Sequence, residues 1–311
     1  MMYFVRGMVI ALSVFFLVYA GLSLLVAAGW RALQRNIRRP SSAAAYGCRM
    51  MPLVAAFLAV VGFTIPSFLR FEPRWDDEPL GIMVLVLAAS GAGILIFGVS
   101  NALLSWMRTR HSVSFWTADG QPLNLEVAVA AFQTRGSAPL FAVAGLCRPK
   151  LLVSDCARRL LDPGELDAAI RHELAHVRNR DNLRKLLLRI CAFPFLGALE
   201  RAWLEAAEIH ADDEAVRDER SALDLASALL KLSRISPPEP SPELAMDLVS
   251  GSPGAVAARV ERLLAWTPQS RRQRTPLSIA VPAAVMAVTA AGLTYMWVLV
   301  RVHQLTELLV R

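Results

Sequence analysis

The sequence predicts a mainly α-helical membrane protein: four transmembrane helices, with an α+β domain inserted ahead of the fourth and facing the cytoplasm. Three observations carry that prediction. Of the 311 residues, 55% are hydrophobic, and the mean hydropathy is +0.43, too apolar for a pair of soluble domains. Four stretches are free of charge and largely long enough to cross a bilayer. Between the third and fourth lies a polar segment holding the pattern His172-Glu173-Leu174-Ala175-His176.

Met8–Gly29 is the first span. A signal peptide would have a shorter apolar core, and the arginines that follow would resist export, so the span is read as retained. Pro52–Leu69 is the second, shorter and interrupted by Gly62 and Pro66. Gly81–Trp106 is the third, and its run Ser90-Gly91-Ala92-Gly93 suits the close approach of a neighbouring helix. Leu277–Val300 is the fourth. The expected organisation is 1–106 for three spans, 107–276 for the inserted domain and 277–311 for the last span and tail.

Arginines set the orientation. Arg31, Arg35, Arg38, Arg39 and Arg49 crowd the first loop without an acid, whereas Arg70–Leu80 carries Glu72, Asp76, Asp77 and Glu78. Arg108 and Arg110, then Arg271, Arg272 and Arg274, mark the same side as the first loop. Both termini are therefore expected outside and the central domain in the cytoplasm. Topology and anionic lipid headgroups account for the net charge of +7, and no nucleic-acid partner is implied.

Within the central domain, Leu125–Phe132 reads as a strand or short helix. Leu140–Ala144 and Lys150–Val153 read as a hairpin about Gly145-Leu146-Cys147-Arg148-Pro149. Its edge suits either addition of an extended peptide or a covered scaffold role. Asp162-Pro163-Gly164-Glu165 then gives an N-cap, a first-turn proline and a capping-box acid. Leu166, Ile170, Leu174 and Val177 recur at helical spacing, which places the His-Glu-Leu-Ala-His pattern on an amphipathic helix. Two histidines four apart share one face and can reach one ion, and the acid between them lies beside that face.

Leu186–Ala198 is apolar but too short to span, and reads as a buried helix and bend, with a membrane-skimming element as the alternative. Leu196–Asp218 reads as a long helix on which Glu208 and Asp212 share a face, while His210 points away. Zinc hydrolases keep three protein ligands, and two histidines with a glutamate are a known set. The expected cofactor is Zn2+, held by His172, His176 and Glu208, with Asp212 fixing the tautomer of a ligand histidine. Glu173 is the expected catalytic base, taking a proton from water activated by the metal. Ser221-Ala222-Leu223-Asp224 reads as a further helix cap. Cys48, Cys147, Cys156 and Cys191 form no metal-binding pair and are expected to be free thiols.

These residues resemble the BlaR/MecR-type family of membrane zinc metallopeptidases and, more distantly, the HtpX-type and prenyl-protein membrane proteases. The likeness rests on His172-Glu173-Leu174-Ala175-His176 followed by Asp181, and on Glu208-Ile209-His210-Ala211-Asp212, where these families place an E-x-x-x-D motif. Gly145, Arg148-Pro149 and Val153 ahead of the helix and Arg259-Val260-Glu261-Arg262-Leu263-Leu264 behind it match as well. The resemblance implies a zincin-like metallopeptidase domain in a bacterial inner membrane. It implies a protein substrate, such as a cytoplasmic repressor cut in signalling. Only Arg301–Arg311 follow the fourth span, so the penicillin-binding sensor domain of the β-lactam transducers has no counterpart, and a separate membrane or extracytoplasmic sensor partner is expected instead. A receptor or scaffold that keeps zinc without proteolysis, and a quality-control protease, are the competing readings.

Overall fold

The computed structural model describes residues 2–33, 41–73, 80–125, 127–134, 140–235, 244, 246–248, 253–267 and 297–308. Among these, three helical rods are long and apolar enough to cross a membrane: Met2–Leu33, Ser42–Phe71 and Ile82–Ala118. The first is α1. The second is α2 (Ser42–Ala59), a π-helical turn (Val60–Thr64) and α3 (Ile65–Phe71). The third is α4 (Ile82–Ala118). The expected fourth span, Leu277–Val300, lies outside the described residues except for its end, where residues 297–308 are helical. Residues 74–79 of the acidic segment Arg70–Leu80 also lie outside them.

The interruption expected at Gly62 and Pro66 is a π turn inside a continuous rod rather than a break. Pro66 has no N–H to give to the helical ladder, and the wider turn just before it absorbs that loss of register. Pro52 sits inside α2, which starts well before the expected span, with the Ser41 hydroxyl accepting from Ala44 N–H at its N-terminus. The close approach expected of the Gly91 region is present. A side chain at Gly91 would put its Cβ 2.4 Å from the Leu12 carbonyl oxygen, so the glycine lets α4 lie directly on α1.

Helix α4 does not stop at Trp106 but continues to Ala118, so the boundary expected at 106/107 falls inside a helix. Nothing between Trp106 and Gly120 breaks a helix, and the charged residues there ride on its surface. A five-stranded sheet follows, ordered β1-β2-β4-β3-β5: β1 (Gln121–Leu123), β2 (Ala130–Thr134), β3 (Phe141–Ala144), β4 (Lys150–Ser154) and β5 (Met246–Asp247). The expected hairpin is β3–β4, antiparallel, with Phe141 opposite Val153. Strand β5 pairs with β3 at Ala142 and Val143, so the covered-edge alternative holds for that hairpin.

Helices α5 (Asp155–Leu160), α6 (Pro163–Asn179), α7 (Asp181–Ile190), α8 (Gly197–Ala215), α9 (Glu219–Ser233) and α10 (Pro253–Leu264) complete the described domain. Its core gathers Phe141, Val143, Leu151 and Val153 of the sheet with Ala168 and Ala169 of α6, Leu225 and Leu229 of α9, and Val256 and Val260 of α10. The cap expected at Ser221 belongs to Asp218. Its carboxylate accepts from Ser221 N–H and the Ser221 hydroxyl accepts from Asp218 N–H, so Ser221 closes the capping box from the third helical position.

Candidate metal centre

The helix that carries the histidines begins as its residues dictate. Asp162 caps α6, Glu165 accepts from Asp162 N–H at 2.9 Å, and Pro163 fills the first turn, where no N–H is needed. Glu165 is held in turn by Lys231 at 2.7 Å on α9, which fixes the start of α6 against its neighbour. Ala168, Ala169 and Ala175 bury one face, and His172 and His176 face α8. Arg180 ends α6 with φ of 54°, a left-handed residue that turns the chain sharply into α7. That turn brings Asp181 back onto His176.

The two imidazoles, one turn apart on α6, place their Nε2 atoms 3.1 Å from each other. Glu208, from α8, brings one carboxylate oxygen to 3.4 Å from His172 Nε2 and the other to 3.7 Å from His176 Nε2. Nδ1 of His172 lies 2.9 Å from Asp212, and Nδ1 of His176 lies 2.8 Å from Asp181. Asp181 accepts a hydrogen bond from Nδ1 of His176 and Asp212 stands beside Nδ1 of His172, which leaves both Nε2 atoms turned toward the same point. At that distance the two Nε2 atoms need a proton or a metal cation between them. Two ligands about 2.0–2.1 Å from a tetrahedral ion stand roughly 3.3 Å apart, close to the separations found. His172, His176 and Glu208 thus form a buried group that can hold a metal ion.

The charge balance points the same way. Glu173, Asp181, Glu208 and Asp212 are all buried, and one buried cation, Arg259, touches the cluster. Four carboxylates against Arg259 and the half-exposed Arg184, which pairs with Asp181, leave an excess that a divalent cation offsets. Burial works against the charge of Glu208, but Arg259 and His172 outweigh it and hold the carboxyl down at about 2. Asp212 is likewise opposed by burial and held well below the usual carboxylate range by Arg259 and His172. Burial disfavours the His172 imidazolium, yet hydrogen bonds to Asp212 and Glu208 prevail and raise it to about 9.

Glu173 is fully buried, and one of its carboxylate oxygens accepts from Val143 N–H of β3 at 2.8 Å. Asn182, at the start of α7, donates to the carbonyls of Val143 and Gly145 at 3.2 and 3.1 Å. Gly145 has φ of 105°, a value its neighbours' side chains would resist, and it lets β3 leave the sheet beside the site. Helix α6, the β3–β4 hairpin and α7 are thereby tied together around the carboxylate.

His172, His176 and Glu208 come together with Asp212 against His172, while the expected base Glu173 is buried on α6 and bonded to Val143 N–H. His210 stands apart; it is half exposed and pairs with Glu214 at 3.2 Å. Arg259 is the residue whose role spacing alone left unread. Its Nε and Nη2 meet both oxygens of Asp212 at 2.9 and 2.7 Å, and its Nη1 reaches Glu208 at 2.9 Å and the Leu248 carbonyl at 2.9 Å. The signal was present in α10, where Val256, Val260 and Leu263 form the buried stripe and Arg259 lies within it. An arginine on the apolar face of an amphipathic helix marks a buried partner. No family model matches this chain, and no curated protein matches it.

Proposed function

We propose that the protein is an integral membrane zinc endopeptidase that cleaves a protein substrate at the cytoplasmic face of a bacterial inner membrane. The observation that carries this reading is the convergence of His172, His176 and Glu208 on one buried point, with the buried Glu173 following His172 on the same helix. The resemblance to the BlaR/MecR-type metallopeptidases supports the same reading. Zinc suits two imidazoles and a carboxylate, and it supplies Lewis acidity that polarises a peptide carbonyl and makes water nucleophilic near neutral pH. Glu173 takes a proton from the attacking water and delivers it to the leaving amine as the C–N bond breaks. Val143 N–H holds that carboxylate in place through the transfer. Asp212 and Asp181 hold the histidines as Nε2 ligands, and Arg259 balances the charge of Glu208 and Asp212.

The regulatory part of the proposal is cleavage of a cytoplasmic repressor on a signal received by a separate sensor partner. The purified chain tests the chemistry: one bound zinc and cleavage of casein are expected, with zinc retained and cleavage abolished in Glu173→Ala. Zinc binding without cleavage in the native chain would favour a receptor or scaffold. In cells, one or two new cytoplasmic termini that depend on Glu173 support signalling, and broad loss of damaged membrane proteins supports quality control instead.

A further inference from the structure

Helices α7 and α8 are joined by an elbow, residues 191–196, that lies among the spans rather than on the sheet-side domain. Cys191 packs with Phe15 and Tyr19 of α1, Leu53 and Ala56 of α2, and Ile94 and Leu95 of α4. Leu196 and Leu199 pack with Ala27 of α1. Gly98 of α4 admits the elbow: a Cβ there would stand 2.3 Å from the Ile190 carbonyl oxygen.

The depth follows from helix rise. The Arg6–Glu72 ion pair, at 3.0 Å, marks the polar end of the spans away from the sheet. From that level to Tyr19 on α1, or from Gly81 to Ile94 on α4, is about 20 Å at ~1.5 Å per residue, and to Ala27 on α1, which packs with Leu196, about 32 Å. A hydrocarbon core of about 30 Å then leaves the Cys191–Phe193 side of the elbow roughly 10 Å inside the opposite boundary and brings its Leu196 side close to that boundary.

Irregular backbone at such a depth requires its polar groups to be satisfied by protein. Here span side chains supply the partners. Arg49 donates to the Cys191 carbonyl at 2.5 Å, and the Tyr19 hydroxyl accepts from Phe193 N–H at 3.2 Å. The stretch 190–199 carries no charge, and its outermost part, Pro194 and Phe195, is exposed. Phe195 is 63% exposed and has φ of 73°, a conformation in which a bulky side chain is strained and glycine is at ease. An aromatic ring at a strained tip gains nothing from water and gains burial from lipid.

We propose that residues 190–196 are a re-entrant membrane element whose Pro194–Phe195 tip contacts acyl chains in the leaflet on the sheet side. Leu24 and Leu25 of α1, just before the Ala27 that packs on Leu196, are exposed as well, and this apolar surrounding names acyl chains as the occupant. The element also fixes the metal centre in height, because Glu208 stands about 18 Å along α8 from Leu196.

The test uses the full chain in phosphatidylcholine–phosphatidylglycerol vesicles, with Cys48, Cys147 and Cys156 replaced by serine. A bimane fluorophore goes on Phe195→Cys, on Pro194→Cys with Phe195 intact, and on the exposed control Glu205→Cys. Nitroxides on lipid acyl chains are expected to quench at 194 and 195 several-fold more than iodide does, with the reverse at 205. Iodide quenching at 194 and 195 equal to that at 205 would overturn the proposal. Quenching by a headgroup nitroxide alone would also overturn it, since the elbow would then lie on the membrane surface. Neither reading depends on zinc or on proteolysis.

Discussion

Two arginines are almost equally buried, Arg259 at 4% exposure and Arg49 at 5%, and they are compensated in different ways. Arg259 meets full charges, the carboxylates of Asp212 and Glu208, together with the Leu248 carbonyl. Arg49 meets the Cys191 carbonyl, just past the C-terminal end of α7, and its Nε and Nη1 have no hydrogen-bond partner among the described residues. They act at the two ends of α8: Arg259 holds its metal end and Arg49 the elbow that leads into it. A site that gathers carboxylates for a metal can fully neutralise its arginine. A span bundle offers backbone carbonyls and a helix dipole, which neutralise less.

The largest expected effect is therefore at Arg259. Arg259→Met leaves Asp212 and Glu208 buried without their cation, a loss of about 3–5 kcal/mol in the metal-free protein. Bound zinc should restore part of that loss, because it supplies positive charge to the same carboxylates. Thermal unfolding with and without zinc measures both. Equal losses in Arg259→Met and Arg49→Met would break the contrast between the two clamps.

Arg49→Met should cost less, about 1.5–3 kcal/mol, the range for one charge-assisted hydrogen bond. Zinc affinity should be unchanged, since Arg49 touches the elbow and not the ligands. Loss of zinc in this variant would mean that α8 transmits the position of the elbow to Glu208.

How much of this was legible in the sequence depended on how local the signal was. Helix α6 declared itself because cap, proline, stripe and histidines lie within one short segment. Glu208 and Asp212 could be read because a helix puts residues four apart on one face. The bond from Arg259 to Asp212 joins residues 47 apart, and sequence spacing has no rule for that. The helix and bend read over Leu186–Ala198 are present as the end of α7 and the elbow, but the partners supplied by Tyr19 and Arg49 are far away in sequence, so no spacing rule could find them. Strands β1 and β5 are too short to show a period, and β1 carries Pro122 besides.

The carboxylates behind the histidines sharpen the comparison within the metal centre. Asp212→Asn and Asp181→Asn should each weaken zinc binding about 10–100-fold. Asp212→Asn should cost more, since Asp212 also holds Arg259 while Asp181 pairs with the half-exposed Arg184. The native affinity should itself depend on pH. His172 is raised to about 9, and a proton on it competes with zinc, so affinity rises as pH increases toward 9. The metal-free fold responds oppositely: stability linked to protonated His172 is complete below its ordinary 6.5 and is lost as pH rises through about 9. Zinc titrations and unfolding curves across that window check both signs.

The smallest effect separates the face of α8 that binds from the face that does not. His210 lies two residues from Glu208, about 200° around the helix, where its ring is half exposed and pairs with Glu214. His210→Ala removes one exposed i,i+4 pair, worth about 0.3–0.5 kcal/mol, and leaves the ligand set intact. Glu208→Ala on the opposite face takes away one of three ligands and should strip the zinc. Metal analysis of the two purified variants reads the difference directly. Zinc lost from His210→Ala and kept in Glu208→Ala would mean that α8 presents its other face to α6, and the whole centre would have to be rebuilt around a third histidine.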